Sequence, residues 1–598
     1  MAEIKERKEI ADQFHWDLTV LFKNDAEWEN AFAAVDEKCA KASSFSGTLN
    51  SVEGILAFLE YENAMGRELS NLYEYASLRH SEDTRDSKAT AMYQRAYGKY
   101  AQFEASMAYA EPELLALPED RLQEIVQDER LSSYRFLLDN IVRQKAHTLS
   151  AKEEILLGSL SEVMDASGQT ASTLMDADLV FDDIQDKDGN VLPLSEANYI
   201  PYQMSLDRVL RKNAFKAFYK TYQQHIHTFA STYSGNVKAA TQMAKIRGYA
   251  SSRQMSLDRN NIDLAVYDNL IETVHNHMDL MYRYLRLRKK LLKIDDLHYY
   301  DVYAPLSSGS HKQYSYDEAK EMVVEAVKPL GEEYVKRVRQ AYEERWIDVY
   351  PNKGKSGGAY SAGTYDSNPY IMMNFNGSLD SVSTLAHEMG HSQHTWLTNH
   401  NQPYHYSNYS LFVAEVASTV NENLLIDQLI EKCDDPEEKL ALLNEYLEGF
   451  KGTVYRQTMF AEFEKLAHEL QEKGESLTSD ALCELYEGLI KLYFGEDLIM
   501  DEEVKYEWAR IPHFYSPFYV YVYATGYTSA VALKEGILKE GEAAVKRYLE
   551  FLSMGSSATP LEELRHAGVD LRTPEPIEKA LTKFESILSE AEAIAEKL

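Results

Sequence analysis

The chain has 598 residues, 44% of them hydrophobic, and its 96 acidic against 62 basic residues give a formal net charge of −34 at pH 7. So large a negative charge repels phosphate backbones and anionic bilayer surfaces, which argues against nucleic acid or a membrane as a partner. The cysteines show no CxxC spacing, no stretch reaches the roughly 18 apolar residues that span a bilayer, and the charged start MAEIKERKEI lacks the apolar core of a secretory signal. These features predict a cytoplasmic protein, and no obligate protein partner is evident.

The N-terminal part of the chain predicts long amphipathic helices, because Ala, Met and Tyr recur at helical spacing in stretches such as DSKATAMYQRAYGKY. The period changes over 179–194, where apolar and polar residues alternate around Asp188-Gly189, a dipeptide typical of a tight hairpin turn. We therefore expect a domain boundary just beyond this hairpin. It would separate an N-terminal helical domain, 1–195, from a second domain, 196–598, that carries the motifs described below.

A glycine-rich stretch interrupts the helical pattern of the second domain at 351–378. Within it, YIMMNF (370–375) is an apolar run bounded by Asn-Pro and Asn-Gly, which predicts a short buried strand. Helices are predicted again over most of 379–598. A glycine-rich loop, a strand and a histidine-bearing helix thus follow one another, an order that suits a functional site.

The helix predicted over 379–397 carries the sequence LAHEMGHSQH. His387 and His391 are four residues apart and share one face, so their two imidazoles can hold one metal ion. Glu388 lies about 100° further round the helix, where its carboxylate can reach a water at the metal without becoming a ligand. His394 lies on the same face as the pair, but a third histidine three residues further on rarely completes a tetrahedral site from one straight helix. The alternative interpretation is that these histidines only face solvent or pack in the core.

The next predicted helix carries an isolated acid. In YSLFVAEVASTVNENLLIDQLI, Glu415 lies between Val413 and Val416 in an otherwise apolar run. Burying a carboxylate there costs free energy unless it is paired or bound to a cation, so Glu415 is the expected third ligand of a site whose fourth position stays open for water. Glu422, two turns on, suits the orientation of a ligand histidine through its ring N–H. A helix with one solvated polar face is the alternative.

Linked blocks at 355–394, 411–422, 510–527 and 551–570 occur in an order that resembles the thimet oligopeptidase family of zinc metallopeptidases, most closely its bacterial branch, oligoendopeptidase F. The resemblance implies one zinc ion per chain, and the ligands that it implies are His387, His391 and Glu415. It also implies that Glu388 is the general base, which takes a proton from the water that attacks a peptide carbonyl.

The block at 510–527, RIPHFYSPFYVYVYATGY, resembles the family's substrate-binding segment, which holds the substrate carbonyl and its oxyanion. His513 matches the family's histidine. Tyr521 aligns best with its key tyrosine and Tyr519 comes next, although the segment leaves Tyr515 and Tyr523 as further alternatives. The resemblance therefore implies catalytic roles for His513 and Tyr521 and a substrate-binding role for Tyr519.

The fold that the resemblance implies is mostly α, with two helical halves that flank a deep substrate channel and a small β element beside the HExxH helix. Such a channel admits short unfolded peptides and excludes folded proteins. The YIMMNF strand and the loop at Gly357 and Gly358 are expected to pair with the peptide backbone as an added strand.

These features predict a zinc-dependent endopeptidase that hydrolyses internal bonds of short oligopeptides. One alternative is a zinc carboxypeptidase on a similar helical fold, in which Arg510 would bind the terminal carboxylate of the substrate. Another is a non-catalytic peptide-binding scaffold. The intact Glu388 argues against the scaffold, because a binding module has no need of a general base.

Overall fold

A computed structural model of the chain describes residues 4–306 and 312–597. The described residues are mostly helical with a few short strands, which confirms the expected fold class. None of the helices in this part of the chain combines the length and the apolar character that crossing a bilayer requires.

The helices account for most of the architecture. They are α1 (Asp25–Cys39), α2 (Val52–Glu82), α3 (Ser87–Met107), α4 (Ala110–Leu115), α5 (Glu119–Val126), α6 (Arg135–Gln144), α7 (Ala151–Thr173), α8 (Glu196–Gln203), α9 (Arg208–Gln224), α10 (Ile226–Ile246), α11 (Ser252–Asp258), α12 (Leu264–His275), α13 (Met278–Leu291), α14 (Tyr316–Ala326), α15 (Glu332–Glu343), α16 (Leu379–Asn401), α17 (Leu411–Lys432), α18 (Pro436–Phe450), α19 (Arg456–Glu472), α20 (Ser479–Phe494), α21 (Tyr521–Glu540), α22 (Glu542–Leu552), α23 (Pro560–Ala567) and α24 (Glu575–Ala595).

The strands are short. They are β1 (Ile184–Gln185), β2 (Val191–Leu192), β3 (Leu297–His298), β4 (Ile347–Asp348), β5 (Tyr360–Ala362), β6 (Tyr370–Met372) and β7 (Leu498–Ile499). β1 and β2 pair antiparallel, with Ile184 opposite Leu192, and the turn between them contains Gly189 at a φ of 81°. This geometry confirms the hairpin predicted around Asp188-Gly189.

By compactness the chain divides into two units. The first unit consists of Met1–Thr148, His311–Leu425 and Leu533–Gly568, and the second unit of Leu149–Ser310, Ile426–Ala532 and Val569–Leu598. Both units are therefore assembled from segments that are distant in sequence. This division concerns compactness and does not test the domain boundary expected at residue 195, which stays a prediction.

In the first unit a small sheet lies beside α16. Its strand order is β4-β6-β5, with β4 parallel and β5 antiparallel to β6. Tyr370 and Met372 of β6 join the apolar core that the N-terminal helices of this unit form. The prediction that YIMMNF offers an edge to a substrate strand was therefore wrong: β6 is the central strand, both its edges are paired, and β5 is the edge strand.

The histidine-bearing helix begins where the sequence predicts. Ser378 caps α16, and its Oγ accepts a hydrogen bond from the Ser381 N–H at 3.2 Å. Asp380 in the first turn complements the helix dipole. The apolar face of the helix is buried through Val382, Leu385, Ala386 and Met389. This burial fixes the rotation of α16 and leaves the His387 side of the helix free for polar contacts.

Candidate metal centre

A glycine allows α16 and α17 to approach each other closely. A Cβ atom on Gly390 would lie 2.6 Å from the carbonyl oxygen of Ala417 and 2.6 Å from the Cα of Ser418. No side chain fits at that distance, so only glycine permits this helix contact. The contact brings the first turns of α17 next to the histidines on α16.

Hydrogen bonds from Asn421 hold the two helices in register. Its Nδ2 donates to the carbonyl of Ala386 at 3.1 Å, and its Oδ1 accepts from the Tyr334 hydroxyl of α15 at 3.0 Å. All of these groups are buried, so loss of one partner would leave another unsatisfied. Asn421 thus fixes how far along α16 the acids of α17 lie.

The three predicted ligands converge in this arrangement. The Nε2 atoms of His387 and His391 lie 3.1 Å apart, and each is 3.4 Å from Oε2 of Glu415. One potential ligand atom from each residue lies within 4.8 Å of those of the other two. Two imidazole nitrogens and one carboxylate oxygen facing a common point form the donor set that a zinc ion prefers.

Glu415 meets the histidines, but its side chain is more exposed than expected. Its neighbours Val413 and Val416 are fully buried, but 48% of its own side chain remains accessible. The prediction that Glu415 is buried was therefore wrong, although the residue does meet the histidines. Ser418 donates to Oε2 of Glu415 at 3.1 Å and orients the carboxylate.

The carboxylates around the histidine pair favour positive charge. Oε1 of Glu422 lies 3.2 Å from Nδ1 of His387, as expected for an acid that orients a ligand histidine. Burial lowers the pKa of His387, but the hydrogen bond and charge of Glu422, with Glu388 and Glu415, outweigh it and raise this pKa to about 9. The hydrogen bond from His391 lowers the pKa of Glu415 to about 2 against the effect of burial. A site that retains protons this strongly also suits a divalent cation in their place.

Glu388 lies among these groups without a hydrogen-bond partner for one oxygen. The residue is buried, and its Oε2 has no partner in the described part of the chain. Burial raises the pKa of its carboxyl group, against the charges of His387 and His391, which lower it. A buried carboxyl group with an unused oxygen beside the ligand cluster is suited to accept a proton from a water molecule. This orphaned oxygen and the donor set together fit a hydrolytic metal site.

His394 is not part of the cluster. Its ring is buried and stacks on Tyr409, with centroids 3.7 Å apart and the ring planes 5° from parallel. Burial, with the charge of His391, lowers its pKa to about 3. His394 is therefore a neutral core histidine. This agrees with the alternative interpretation in which a histidine of this helix packs in the core.

The predicted substrate residues His513, Tyr519 and Tyr521 lie in the second unit, on the turn Pro512–Tyr515 and near the start of α21. The His513 ring is parallel to Tyr519 at 6.4 Å and edge-on to Tyr523 at 6.0 Å. Tyr521 instead is buried, 5.0 Å from the ring of Tyr267. The structure thus groups His513 with Tyr519 and Tyr523 and turns Tyr521 into the core.

The predicted substrate loop precedes β5 in the first unit. Gly357 and Gly358 are exposed, and Gly358 has a φ of 77°, which favours glycine. Asn374, which follows β6, donates through Nδ2 to the carbonyls of Ser356 and Gly358, each at 2.9 Å. This amide ties the loop to the sheet.

Sequence reasoning missed Gly390, Asn374 and Asn421, which position the candidate site without being candidate ligands. For Gly390 a signal was present, because a glycine inside a confident helix often marks a close approach of another backbone. For the two asparagines no local signal exists, since their partners are distant in sequence.

Comparison with known proteins gives the same assignment for the whole chain. Residues 202–583 match the model of peptidase family M3, and residues 113–181 match the model described as oligopeptidase F. The oligopeptidase PepF of Bacillus subtilis is 44% identical over 598 residues, covering 100% of this chain and 89% of the relative. The group B oligopeptidase PepB of Streptococcus agalactiae is 41% identical over 593 residues, covering 99% of this chain and 98% of the relative.

A solved structure supports the likeness at the level of fold. The crystal structure of oligoendopeptidase-F from Enterococcus faecium superimposes with a TM-score of 0.74 at 36% identity, covering 96% of this chain and 100% of that one. The resemblance to oligoendopeptidase F is thereby confirmed, and so is the expectation of an enzyme. The chain belongs to peptidase family M3 and is a metalloendopeptidase related to oligoendopeptidase F.

Proposed function

We propose that this chain is a zinc-dependent endopeptidase that cleaves internal bonds of short unfolded oligopeptides in the cytoplasm, and that within family M3 it is related to thimet oligopeptidase. The observation that carries the proposal is the convergence of His387, His391 and Glu415 beside Glu388, whose Oε2 has no partner in the described chain. Two imidazoles and one carboxylate with an open fourth position are the ligand set of catalytic zinc, so one ion is bound per chain.

When bound, zinc supplies a Lewis acid that makes a water molecule more acidic and polarises the scissile carbonyl. Glu388 takes the proton from the attacking water and delivers it to the leaving amine. Glu422 accepts the Nδ1–H of His387, which keeps Nε2 of this histidine directed at the ion. Each acid in the cluster thus has a separate task that follows from its position.

The substrate contacts form the second part of the proposal. The edge strand β5 and the loop at Gly357 and Gly358 pair with the peptide backbone, which gives tolerance of many side chains. His513 donates to the carbonyl oxygen as it becomes negative. Among the tyrosines, the ring cluster around His513 favours Tyr519 for this contact over the buried Tyr521.

Metal content and cleavage of an internally quenched, end-blocked peptide of about ten residues, a length that spans several subsites as a strand, test the proposal. Wild type and Glu388→Gln should each hold one zinc ion, and internal cleavage should fall at least about 100-fold in the variant, since it lacks the general base. Asp380→Asn, which removes an exposed acid from the same helix, is the matched control and should cleave normally. Zinc without internal cleavage in wild type would contradict the endopeptidase proposal, and absence of metal would contradict the site itself.

A further inference from the structure

Among the described residues, one arginine of the second unit has no acceptor within hydrogen-bonding distance of its guanidinium group. Arg510 ends the short helix Glu502–Arg510, and its guanidinium carbon lies 5.1 Å and 5.2 Å from the ring centroids of Tyr199 and Phe218. Only 15% of its side chain is accessible, and its buried Nε has no hydrogen-bond partner. In the described part of the chain, the carboxylate oxygen paired with it is Oε1 of Glu507, which is 4.0 Å from Nη1 and outside hydrogen-bonding range.

Glu507 cannot serve Arg510, because its oxygens are already occupied. The groups that donate to its two carboxylate oxygens are Tyr219 Oη at 3.1 Å, Tyr299 Oη at 2.7 Å, Tyr486 Oη at 2.7 Å and Arg456 Nη2 at 2.8 Å. A carboxylate offers about four lone-pair sites, and these donors use them. The charge of Glu507 is balanced by Arg456, so the charge of Arg510 is left over.

The next carboxylates have donors of their own. Oε1 of Glu448 accepts from Arg288 at 2.7 Å and its Oε2 from Lys451 at 2.6 Å. Glu196 accepts the hydroxyl of Tyr222. Two arginines, Arg456 and Arg510, therefore lie beside the single carboxylate of Glu507, although the chain as a whole carries a net charge of −34.

Such an excess of enclosed positive charge is costly unless a negative partner is present. The charges of Arg456 and Arg510 both act on the Tyr303 hydroxyl, and the ammonium of Lys451 lies 4.5 Å from the centre of the same ring. Tyr303 therefore connects the arginine pair with the Lys451 group. The unbalanced charge belongs to one continuous region and not to separate surface positions.

We propose that Arg510 binds a compact monovalent anion, a chloride ion or a carboxylate, at its Nη edge. The aromatic rings of Tyr199 and Phe218 pack on the guanidinium, so its planar donor edge is the part left to meet a ligand. The fork of N–H groups suits a carboxylate through two parallel hydrogen bonds, and a halide through the same donors. The small accessible fraction of the side chain favours a compact anion.

Thermal unfolding tests this site without relying on catalysis. Sodium chloride or sodium acetate should replace sodium isethionate, a bulky sulfonate salt, at constant ionic strength. We expect chloride and acetate to raise Tm saturably, by about 1–2 °C at a tenfold excess over Kd. Arg510→Met should remove the shift. Arg286→Gln, which deletes an exposed arginine of the same unit, should keep it.

The proposal is overturned if chloride and acetate do not raise the Tm of the wild type, or if they raise the Tm of Arg510→Met by the same amount. If Arg510→Met does not fold, Arg510→Lys replaces it, because lysine keeps the charge but loses the planar fork. We then expect the chloride affinity to fall about tenfold. An unchanged affinity in that variant would count against the site.

Two sources can supply this anion: dissolved chloride and the C-terminal carboxylate of a peptide. Binding of a fluorescent peptide to Glu388→Gln, with its C-terminus free or amidated and with chloride present or absent, distinguishes them. If chloride weakens the binding of the peptide with a free C-terminus but not of the amidated peptide, the anion is the peptide carboxylate. If chloride weakens the binding of neither peptide, the anion is chloride. Competition with both would mean that chloride acts elsewhere and would count against Arg510. The measurement is of binding, so it fails independently of the peptidase proposal.

Discussion

The metal centre of the first unit and the arginine cluster of the second unit carry an excess of opposite charge. Around His387 and His391, carboxylates are in excess, and one oxygen of Glu388 has no partner among the residues that the structure describes. Around Glu507, two arginines face one carboxylate, and in the described part of the chain the Nε of Arg510 has no partner. In each region the sign of the excess indicates the ligand that would balance it: a cation in the first and an anion in the second.

The largest effect is expected from breaking the ion pair between Arg456 and Glu507 in the second region. Arg456→Gln leaves the buried carboxylate of Glu507 without its cation and should lower the free energy of unfolding by about 3–5 kcal/mol. Arg510→Met should cost less, because Arg510 lies 4.0 Å from Glu507, beyond hydrogen-bonding distance, and methionine can pack between the same rings. Urea unfolding of both variants measures the difference. Equal losses would show that Glu507 depends on both arginines, which contradicts the assignment of a free charge to Arg510.

In the first region the corresponding change is Glu415→Gln. It removes the charged ligand from the histidine pair and should weaken zinc binding more than about 100-fold, whereas Glu422→Gln, which only orients His387, should weaken it about 10- to 100-fold. Competition with a zinc-chelating dye gives both affinities. A larger effect at Glu422 would reverse the roles of the two acids.

The helix contact beneath the metal centre can be tested by adding one methyl group. Gly390→Ala places its Cβ 2.6 Å from the Ala417 carbonyl oxygen, so we expect a loss of about 1–3 kcal/mol in the free energy of unfolding together with weaker zinc binding. Gly488→Ala is the matched control, since at that exposed position of α20 no described atom beyond the helix's own backbone lies within 4 Å of a Cβ. It should stabilise the protein by about 0.5–1 kcal/mol. Similar effects at both sites would mean that α16 and α17 can separate without cost.

The smallest effect is a pH dependence of the metal-free protein. The pKa of His387 is raised from an ordinary 6.5 to about 9, so its protonated ring stabilises the folded state fully below pH 6.5. That contribution is lost as the pH rises through 9. We expect thermal stability without metal to fall between pH 6.5 and 9.5, and to fall less in Glu422→Gln. Zinc should abolish this loss, because it replaces the proton; an identical profile with zinc would contradict the shared site.

Local patterns in the sequence predicted much of the fold and part of the site. The hairpin at Asp188-Gly189 follows from turn chemistry, and α16 follows from helical spacing and the Ser378 cap. The pairing of His387 with His391 is a property of one helix and needs no other element. These features depend on residues within about four positions of one another, which is why the sequence alone is enough to predict them.

The same reasoning failed where the outcome depends on a distant partner. Glu415 was expected in the core and is half exposed, and the YIMMNF run was expected to pair with the peptide backbone and lies in the middle of a sheet. Each of these depends on which face packs against another element, and a single element's periodicity does not determine that.

By itself the sequence determined the helical class, the hairpin and the HExxH helix with its paired imidazoles, because these arise from short-range spacing, capping and turn geometry. Tertiary structure alone decided that Gly390 admits α17, that Glu415 thereby reaches the histidines, and that Arg510 stays beyond hydrogen-bonding distance of Glu507. The physical reason is that ligand convergence and charge balance are sums over groups far apart in the chain, and only packing sets the distances between them.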